Sequence, residues 1–197
     1  MKYLAFDCAS ENIYVCVYND AKHFFVTKLN SSGTENLMGA IDECLKSANM
    51  QVSDIDCIGV GVGPGSWTGA RVGVVTALGI VSGLKKQIKV ISFNSFDMVS
   101  YNEIDRDLPV LAKAYANFVY LKKDEVFQCV DIDEVINLDC ICAHNLTSKT
   151  KVVEPKIDVV VDRKIKNGEF LGIEELEPLY LRLSQAEIQL KNKGGKS

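Results

Sequence analysis

The sequence predicts an α/β protein in which a mixed sheet is flanked by helices and a reduced second α/β lobe follows. Three observations predict it. Short β-type runs open the chain, nearly continuous apolar runs then alternate with helical patterns, and a charged, proline-containing segment at 103–109 precedes a shorter second set of elements. The composition, with 197 residues of which 47% are hydrophobic and 24% charged, fits one domain or two small ones.

The first part of the chain contains five predicted strands. Three short runs at 2–8, 12–18 and 22–29 are separated by polar turns, which is typical of an antiparallel meander. Two later runs, at 55–62 and 89–93, are apolar almost throughout, which suits strands buried on both faces. We therefore expect an antiparallel layer that continues into parallel strands.

Helical patterns lie between these strands. Segment 34–48 is amphipathic, with apolar residues at helical spacing: Leu37, Ala40, Ile41 and Cys44. Segment 67–83 is apolar almost all round, so its own sheet and a further layer must both cover it. A third helix is expected to begin at Asn94 and to reach Tyr101. The order β-β-β-α-β-α-β-α matches the ribonuclease-H-like half of the actin-like and sugar-kinase (ASKHA) fold.

We predict two domains, a ribonuclease-H-like N-terminal domain at 1–102 and a smaller C-terminal α/β domain at 103–197. The second set has strand patterns, a short helix and a final element. These are single runs at 110–121 and 126–130, the helix near 132–136, strands at 139–143 and 157–161, and the element from 178 to about 190.

Bulk properties exclude several classes of function. The net charge of −4 provides no basic field for a nucleic-acid backbone, so direct binding of a nucleic acid is not expected. The odd number of cysteines, seven, predicts reduced thiols and a cytoplasmic protein. Cys140 and Cys142 share one face of a predicted strand, where core packing is the default and redox or metal chemistry the alternative. No apolar stretch is long enough to cross a membrane.

The stretch from Gly61 to Gly73 carries the most specific pattern. Glycines and a proline lie between a buried strand and a helix, where free N–H groups and the helix dipole favour an anion. The Walker A and dinucleotide patterns are absent. We predict a possible vestigial nucleotide corner, able to hold ATP or ADP weakly and otherwise without a cofactor, formed by Asp7, Ser10, Gly63, Pro64, Gly65 and Ser66.

Two of these residues have alternative interpretations. Asp7 ends the first strand, where it could face phosphates or a metal, or instead accept hydrogen bonds from the N–H groups of Ser10 or Glu11. Ser66 could be a nucleophile, but it has no neighbouring histidine in the sequence and suits a helix cap better.

The chain resembles a known family in this region. Gly63-Pro64-Gly65-Ser66-Trp67-Thr68-Gly69-Ala70-Arg71-Val72-Gly73 is similar to the Gly-Pro-Gly-Ser-Phe-Thr-Gly-x-Arg-x-Gly motif of TsaB proteins, formerly YeaZ, with Trp67 where phenylalanine is usual. The opening strand 4–10 and the segment 178–182 also resemble that family. Lys113-Ala114-Tyr115 departs from the Asp-Ala-Arg that is common in members.

The resemblance implies a non-catalytic scaffold subunit for threonylcarbamoyl modification of the tRNA adenosine next to the anticodon. The expected partners are the catalytic relative TsaD, the ATPase TsaE and, in isolation, a second copy of the chain. The surface would come from the two first-domain helices, through Leu37, Ala40, Ile41, Cys44, Trp67, Arg71, Val72, Val75, Leu78 and Gly79. Arg71 could equally be a residue whose stem covers the core.

Catalysis is not expected, because the two histidines, His23 and His144, do not form a metal-binding pair such as His-x-x-x-His. The alternatives are an independent ATPase or small-molecule kinase of the same superfold and, less well supported, a glycoprotease-like peptidase.

Overall fold

Two five-stranded mixed sheets organise the chain, and the computed structural model describes residues 1–29, 34–101 and 107–182. In chain order the elements are β1 (Tyr3–Asp7), β2 (Ile13–Tyr18), β3 (His23–Lys28), α1 (Leu37–Ser47), β4 (Cys57–Gly61), α2 (Trp67–Gly83), β5 (Lys89–Phe93), β6 (Val110–Lys113), β7 (Phe118–Lys123), β8 (Val126–Asp131), α3 (Ile132–Val135), β9 (Cys140–Cys142), β10 (Thr150–Val152) and α4 (Ile157–Asn167). Short 3₁₀ turns lie at Thr34–Asn36, Val52–Asp54 and Ile173–Glu175.

The first sheet has the strand order β3-β2-β1-β4-β5. β1 pairs antiparallel with β2 and parallel with β4, so the predicted meander continues into parallel strands. Alternate residues of β1 face opposite layers. Leu4 and Phe6 pack in the cluster that includes α1 and α2, whereas Tyr3 and Ala5 pack against α4. The sheet is therefore covered by helices on both faces, as the actin-like, ribonuclease-H-like fold class predicts.

The second sheet has the order β10-β9-β6-β7-β8 and carries α3 on one face. Asp131 caps α3, because its side chain accepts a hydrogen bond from the Asp133 N–H. Cys140 and Cys142 are buried together in the core beneath α3, so core packing is their role in the fold.

The segment predicted as a strand at 157–161 is instead the start of α4. Its run of β-branched residues suggested a strand, but the buried positions Ile157, Val160 and Val161 follow helical spacing. Gly168 ends the helix in the left-handed conformation with φ of 72°. Burial of one helical stripe against the first sheet outweighs the local β preference.

Further expectations need correction. The single run predicted at 110–121 is divided by a turn into two strands, β6 and β7. Segment 94–101, expected to begin a helix, forms turns in which Asn94 and Asp97 exchange hydrogen bonds. Strand β10 was not predicted, because three partly exposed residues give almost no pattern. The expected final element at 178–190 extends beyond the described residues, and its described part, 178–182, forms no strand or helix.

The end of the chain returns to the first sheet. After α4, Leu171 bridges to Val90 on the edge strand β5, and Leu176 and Leu179 then pack in the cluster that contains α1 and α2. Part of the predicted second domain, 103–197, therefore covers both faces of the first sheet, and the division at residue 102 does not separate the packing. Among the described residues, no helix is long and apolar enough to cross a membrane.

Candidate functional site

A cleft of about 570 Å³ lies where the two sheets meet. The turn after β1 contributes Ser10 and Glu11, and the loop before α2 contributes Pro64, Gly65 and Ser66. From the second sheet come the end of β6 with the following turn, at 111–115, and the segment 142–144 after β9. The cleft is thus lined by residues from both sheets and their adjoining loops.

Close backbone contacts fix the glycine loop against the turn after β1. The Ser66 N–H donates to the carbonyl of Ala9 at 2.7 Å. A Cβ on Gly65 would lie 2.1 Å from that carbonyl oxygen, and one on Gly69 would lie 1.9 Å from the Cys8 carbonyl oxygen. Glycine is therefore required at both positions, and Gly69 of α2 faces this turn rather than a partner helix.

Ser66 is the cap of α2, since its Oγ accepts a hydrogen bond from the Gly69 N–H at 3.1 Å. This geometry supports the cap interpretation over a nucleophile. Among the residues of the predicted corner, Ser10, Pro64, Gly65 and Ser66 line the cleft, whereas Gly63 and Asp7 do not.

Asp7 is completely buried, at 0% exposure, beneath the cleft. Its Oδ2 accepts a hydrogen bond from the Ser10 N–H at 3.1 Å, and its Oδ1 has no partner among the described residues. Burial raises the pKa of this carboxyl group, against the opposing effect of the Ser10 and Ala9 hydrogen bonds. The structural interpretation of Asp7 is thus the one the geometry supports, and its placement in a nucleotide corner is not.

Glu11 links the two lobes across the cleft. One oxygen of its carboxylate contacts the Nζ of Lys113, and the other lies 3.3 Å from the Nε2 of His144. These partners come from the end of β6 and from the segment after β9. The acidic group of the cleft is therefore neutralised by the second sheet, and His144 is engaged in this contact.

An aromatic group holds Arg71 at the surface. Trp67 and Tyr180 stack with ring centres 4.2 Å apart, and the guanidinium of Arg71 lies 5.4 Å and 5.5 Å from the two ring centres. Its Nε also donates to the Tyr180 hydroxyl at 2.7 Å. Arg71 is exposed, and its guanidinium contacts two aromatic residues of the same chain.

The outer face of α2 is exposed and apolar. Val75 is 64% exposed, Gly79 is exposed, and Val72 and Leu78 are half-buried. Arg71 lies one turn before Val75 on the same face. Within the described residues, this face of the helix is therefore left uncovered.

The α1 residues that were predicted as partner contacts do not lie on an exposed face. Leu37, Ala40, Ile41 and Cys44 are at most 3% exposed, because they form the stripe of α1 that packs on the first sheet. Their prediction as partner contacts is wrong for the folded monomer. The exposed apolar residue of α1 is Met38, at 56%, which the sequence pattern did not single out.

Comparison with known proteins identifies the family. The family model described as "TsaD: tRNA N6-adenosine threonylcarbamoyltransferase" matches residues 30–174. The chain belongs to this family.

Curated relatives agree with the motif resemblance. The chain is 31% identical to the tRNA threonylcarbamoyladenosine biosynthesis protein TsaB of Escherichia coli over 86 residues, which is 42% of this chain and 36% of that protein. TsaB of Haemophilus influenzae is 31% identical over 81 residues, or 41% of this chain and 34% of that protein. The matches thus span about a third of the relatives' length, and the resemblance to TsaB is confirmed.

Two solved structures from Pseudomonas aeruginosa share the fold. One is an uncharacterized protein with similarity to peptidase YEAZ, and the other is YeaZ. Both have a TM-score of 0.72 and 16% identity, and they cover 92% and 91% of this chain and 99% of their own. This chain therefore shares the fold of these two structures along most of its length.

The histidines of this family member lie far apart in the fold. His23 Nε2 is 3.1 Å from the Oδ2 of Asp162 on the outer side of the first sheet, whereas His144 lies in the cleft. In the described part of the chain, no group of three or more His, Cys, Asp or Glu side chains could hold a metal ion.

Several features of the site had no signal in the sequence. The contacts of Glu11 and Tyr180 join residues more than a hundred positions away, and the spacing within one segment contains no information about such pairs. Met38 could have been found, because it lies one position outside the apolar stripe of α1.

Proposed function

We propose that this chain acts in tRNA threonylcarbamoyladenosine biosynthesis as a non-catalytic partner subunit that binds a TsaD-type catalytic subunit. The observation that carries the proposal is the outer face of α2, which is apolar, exposed and marked by a fixed arginine. The properties of this face indicate what it can bind, and the contacts of the cleft residues bear on whether the chain itself is a catalyst.

The outer face of α2 has the properties of an interface centre. An exposed valine gains free energy when it is covered, by about 1.5–3 kcal/mol for full burial of such a side chain. Arg71 is already ordered by Trp67 and Tyr180, so binding through it costs less side-chain entropy than binding through a free arginine. Arginine and aromatic residues are also enriched among the residues that dominate binding energy.

The first turn of α1 extends this face. Thr34 and Ser66, which stand just before the two helices, both line the cleft, so both helices begin at the same end of the sheet. Met38 lies on that first turn of α1 and is exposed. A helical partner placed over α2 therefore finds a second apolar contact at the end where Arg71 lies.

A catalytic role has little support from the cleft. Asp7, the carboxylate at the end of the first strand, is enclosed, and Glu11 is already paired with Lys113 and His144. General acid–base chemistry and metal binding both need a group that can reach the substrate. An independent ATPase, small-molecule kinase or peptidase is therefore less well supported than a partner subunit.

The α2 face and the net charge of the chain also indicate how other partners would bind. When alone, two copies can bury their α2 faces against each other, since the same patch on two copies generates a twofold dimer. With a net charge of −4, tRNA is expected to reach the complex through the catalytic subunit. A TsaE-type ATPase is the further partner of this proposal.

The experiment uses cells depleted of the native protein and complemented with variants, with the modified adenosine measured by mass spectrometry of digested tRNA. Val75→Glu introduces a charge on the α2 face without disturbing a helix, because glutamate forms helices well. Val159→Glu is the matched control, since Val159 is 40% exposed on α4, on the other side of the sheet.

We expect wild type and Val159→Glu to restore the modification, and Val75→Glu to lower it at least about tenfold, because burying an unpaired charge costs several kcal/mol. Full modification with Val75→Glu would rule out this face as the site of action. Equal loss with both variants at normal protein levels would do the same, since the effect would not be specific to α2.

A further inference from the structure

A second group of cleft residues is not used by the proposed function. Ser95 follows β5, Tyr115 and Tyr120 belong to the turn before β7 and to β7 itself, and Arg182 lies at the end of the described chain. Leu181 and Phe96, which adjoin Arg182 and Ser95, pack in one apolar cluster. All four of these residues line the same cleft as the glycine loop.

Two polar atoms in this part of the wall are buried without partners among the described residues. They are the Oγ of Ser95, a residue only 8% exposed, and the Nε of Arg182. Leaving a buried donor unsatisfied costs about 1–3 kcal/mol, so folded proteins rarely keep such groups without an occupant. Both atoms belong to residues that line the same cavity.

The charge of the cleft is also unbalanced. Glu11 is paired with Lys113 and His144, so no described carboxylate in the cleft remains for Arg182. The guanidinium lies 5.4 Å from the ring centre of Tyr115 and stays charged at all physiological pH values. One uncompensated, planar cation therefore faces a cavity whose other walls include Trp67 and Tyr120.

We infer that the cleft binds a small organic monocarboxylate with an apolar or aromatic body. Its carboxylate would pair with the guanidinium of Arg182 and accept a hydrogen bond from Ser95, and its body would lie against the aromatic rings. A volume of about 570 Å³ is within the range of small-molecule sites.

A nucleoside triphosphate fits this chemistry less well. Its three or four negative charges need several cations or a metal ion, whereas the cleft offers one unpaired cation and Asp7 is sealed beneath it. The inference does not depend on the partner-subunit function. Variants of the α2 face leave the Arg182 wall intact, and variants of Arg182 leave Val75 intact, so failure of one proposal does not imply failure of the other.

The test is a fluorescence titration of the full chain, because Trp67 is the single tryptophan and lines the cleft. The probes are phenylacetate, its neutral analogue phenylacetamide, and MgATP. The variants are Arg182→Gln, Ser95→Ala and, as a matched control, Arg163→Gln on the exposed side of α4. Circular dichroism verifies that each variant is folded.

We expect saturable binding of phenylacetate to wild type and to Arg163→Gln. Arg182→Gln should weaken it by about tenfold or more, and Ser95→Ala by a smaller factor, because a hydrogen bond to a charged group is stronger than a neutral one. Phenylacetamide should bind at least about tenfold more weakly. Equal affinity for the acid and the amide, unchanged binding to folded Arg182→Gln, no saturation by phenylacetate, or tighter binding of MgATP than of phenylacetate would each overturn the inference.

Discussion

Asp7 shows how one residue can be conspicuous in the sequence and inaccessible in the fold. It ends the first strand, where a carboxylate could meet phosphates, but Gly61 on the neighbouring strand leaves space that the carboxylate fills. A Cβ on Gly61 would lie 2.2 Å from the Oδ1 of Asp7. The side chain is directed into the protein, where its function is to hold the turn at Ser10.

The buried carboxyl group predicts a pH dependence of stability. Its pKa is raised above the ordinary 3.8, so the folded state retains a proton that the unfolded state releases, and stability falls as the pH rises above 3.8 towards the folded pKa. Asp7→Asn has no proton to lose and keeps an acceptor for the Ser10 N–H. The variant should therefore gain stability relative to wild type as the pH rises above 3.8.

Urea unfolding of both proteins at several pH values measures this difference directly. Titrations of other groups are common to the two proteins and cancel. A stability difference that does not change as the pH rises above 3.8 would show that Asp7 is not buried as a protonated acid.

Substitution by alanine should have opposite effects on stability at two glycines of α2, Gly69 and Gly79. Gly69→Ala places a methyl group against the Cys8 carbonyl, which is backbone and cannot move aside, so we expect a loss of about 3 kcal/mol. Gly79→Ala on the same helix meets nothing within 4 Å and should stabilise by about 0.5–1 kcal/mol through helix propensity. Urea denaturation of both variants checks this, and similar effects at the two positions would contradict the packing described for α2.

At the scale of elements, a helix or turn was predictable from the sequence when the contacts that determine it lie within one short segment. The turn at 61–73 and helix α2 were predicted well, because glycine spacing, a cap and an apolar run all lie within one short segment. Helix α4 was predicted as a strand, because its β-branched residues favour a strand locally and the sheet that buries it lies far away in the sequence. The apolar stripe of α1 was predicted to contact a partner, but it is buried in the core. Helical spacing identifies such a stripe without showing whether the core or a partner covers it.

Helix α4 predicts that the end of the chain contributes to the stability of the first sheet. Val160 is completely buried against β1 and β5, whereas its neighbour Val159 is exposed. Val160→Ala should cost about 2 kcal/mol, because it removes buried methyl groups and leaves a cavity. Val159→Ala should change stability by less than about 0.5 kcal/mol. Equal effects in urea denaturation would contradict the packing of α4 on the sheet.

At the scale of the whole molecule, two features of the structure support the proposed function. The sheets enclose a cleft whose acidic group is already neutralised, and one helix on the outside of the first sheet has an apolar face that no described residue covers. The sequence predicted that uncovered face, because a helix apolar on all sides needs more than one covering layer. It could not predict the cleft contacts, which join residues from both sheets.

The same face predicts self-association of the isolated protein. Light scattering during size-exclusion chromatography should give the mass of a dimer for wild type and for Val159→Glu, and that of a monomer for Val75→Glu, because two buried glutamates would face each other across a twofold axis. A Val75→Glu dimer would show that another surface pairs the copies.

The most direct test of the central claim is isothermal titration of the purified chain with the TsaD-type protein of the same organism. We predict one-to-one binding that Val75→Glu weakens by at least about a hundredfold, the equivalent of roughly 2.7 kcal/mol, and that Val159→Glu leaves within about twofold of wild type. Equal affinity of the wild type and the Val75→Glu variant for the catalytic subunit would contradict the claim.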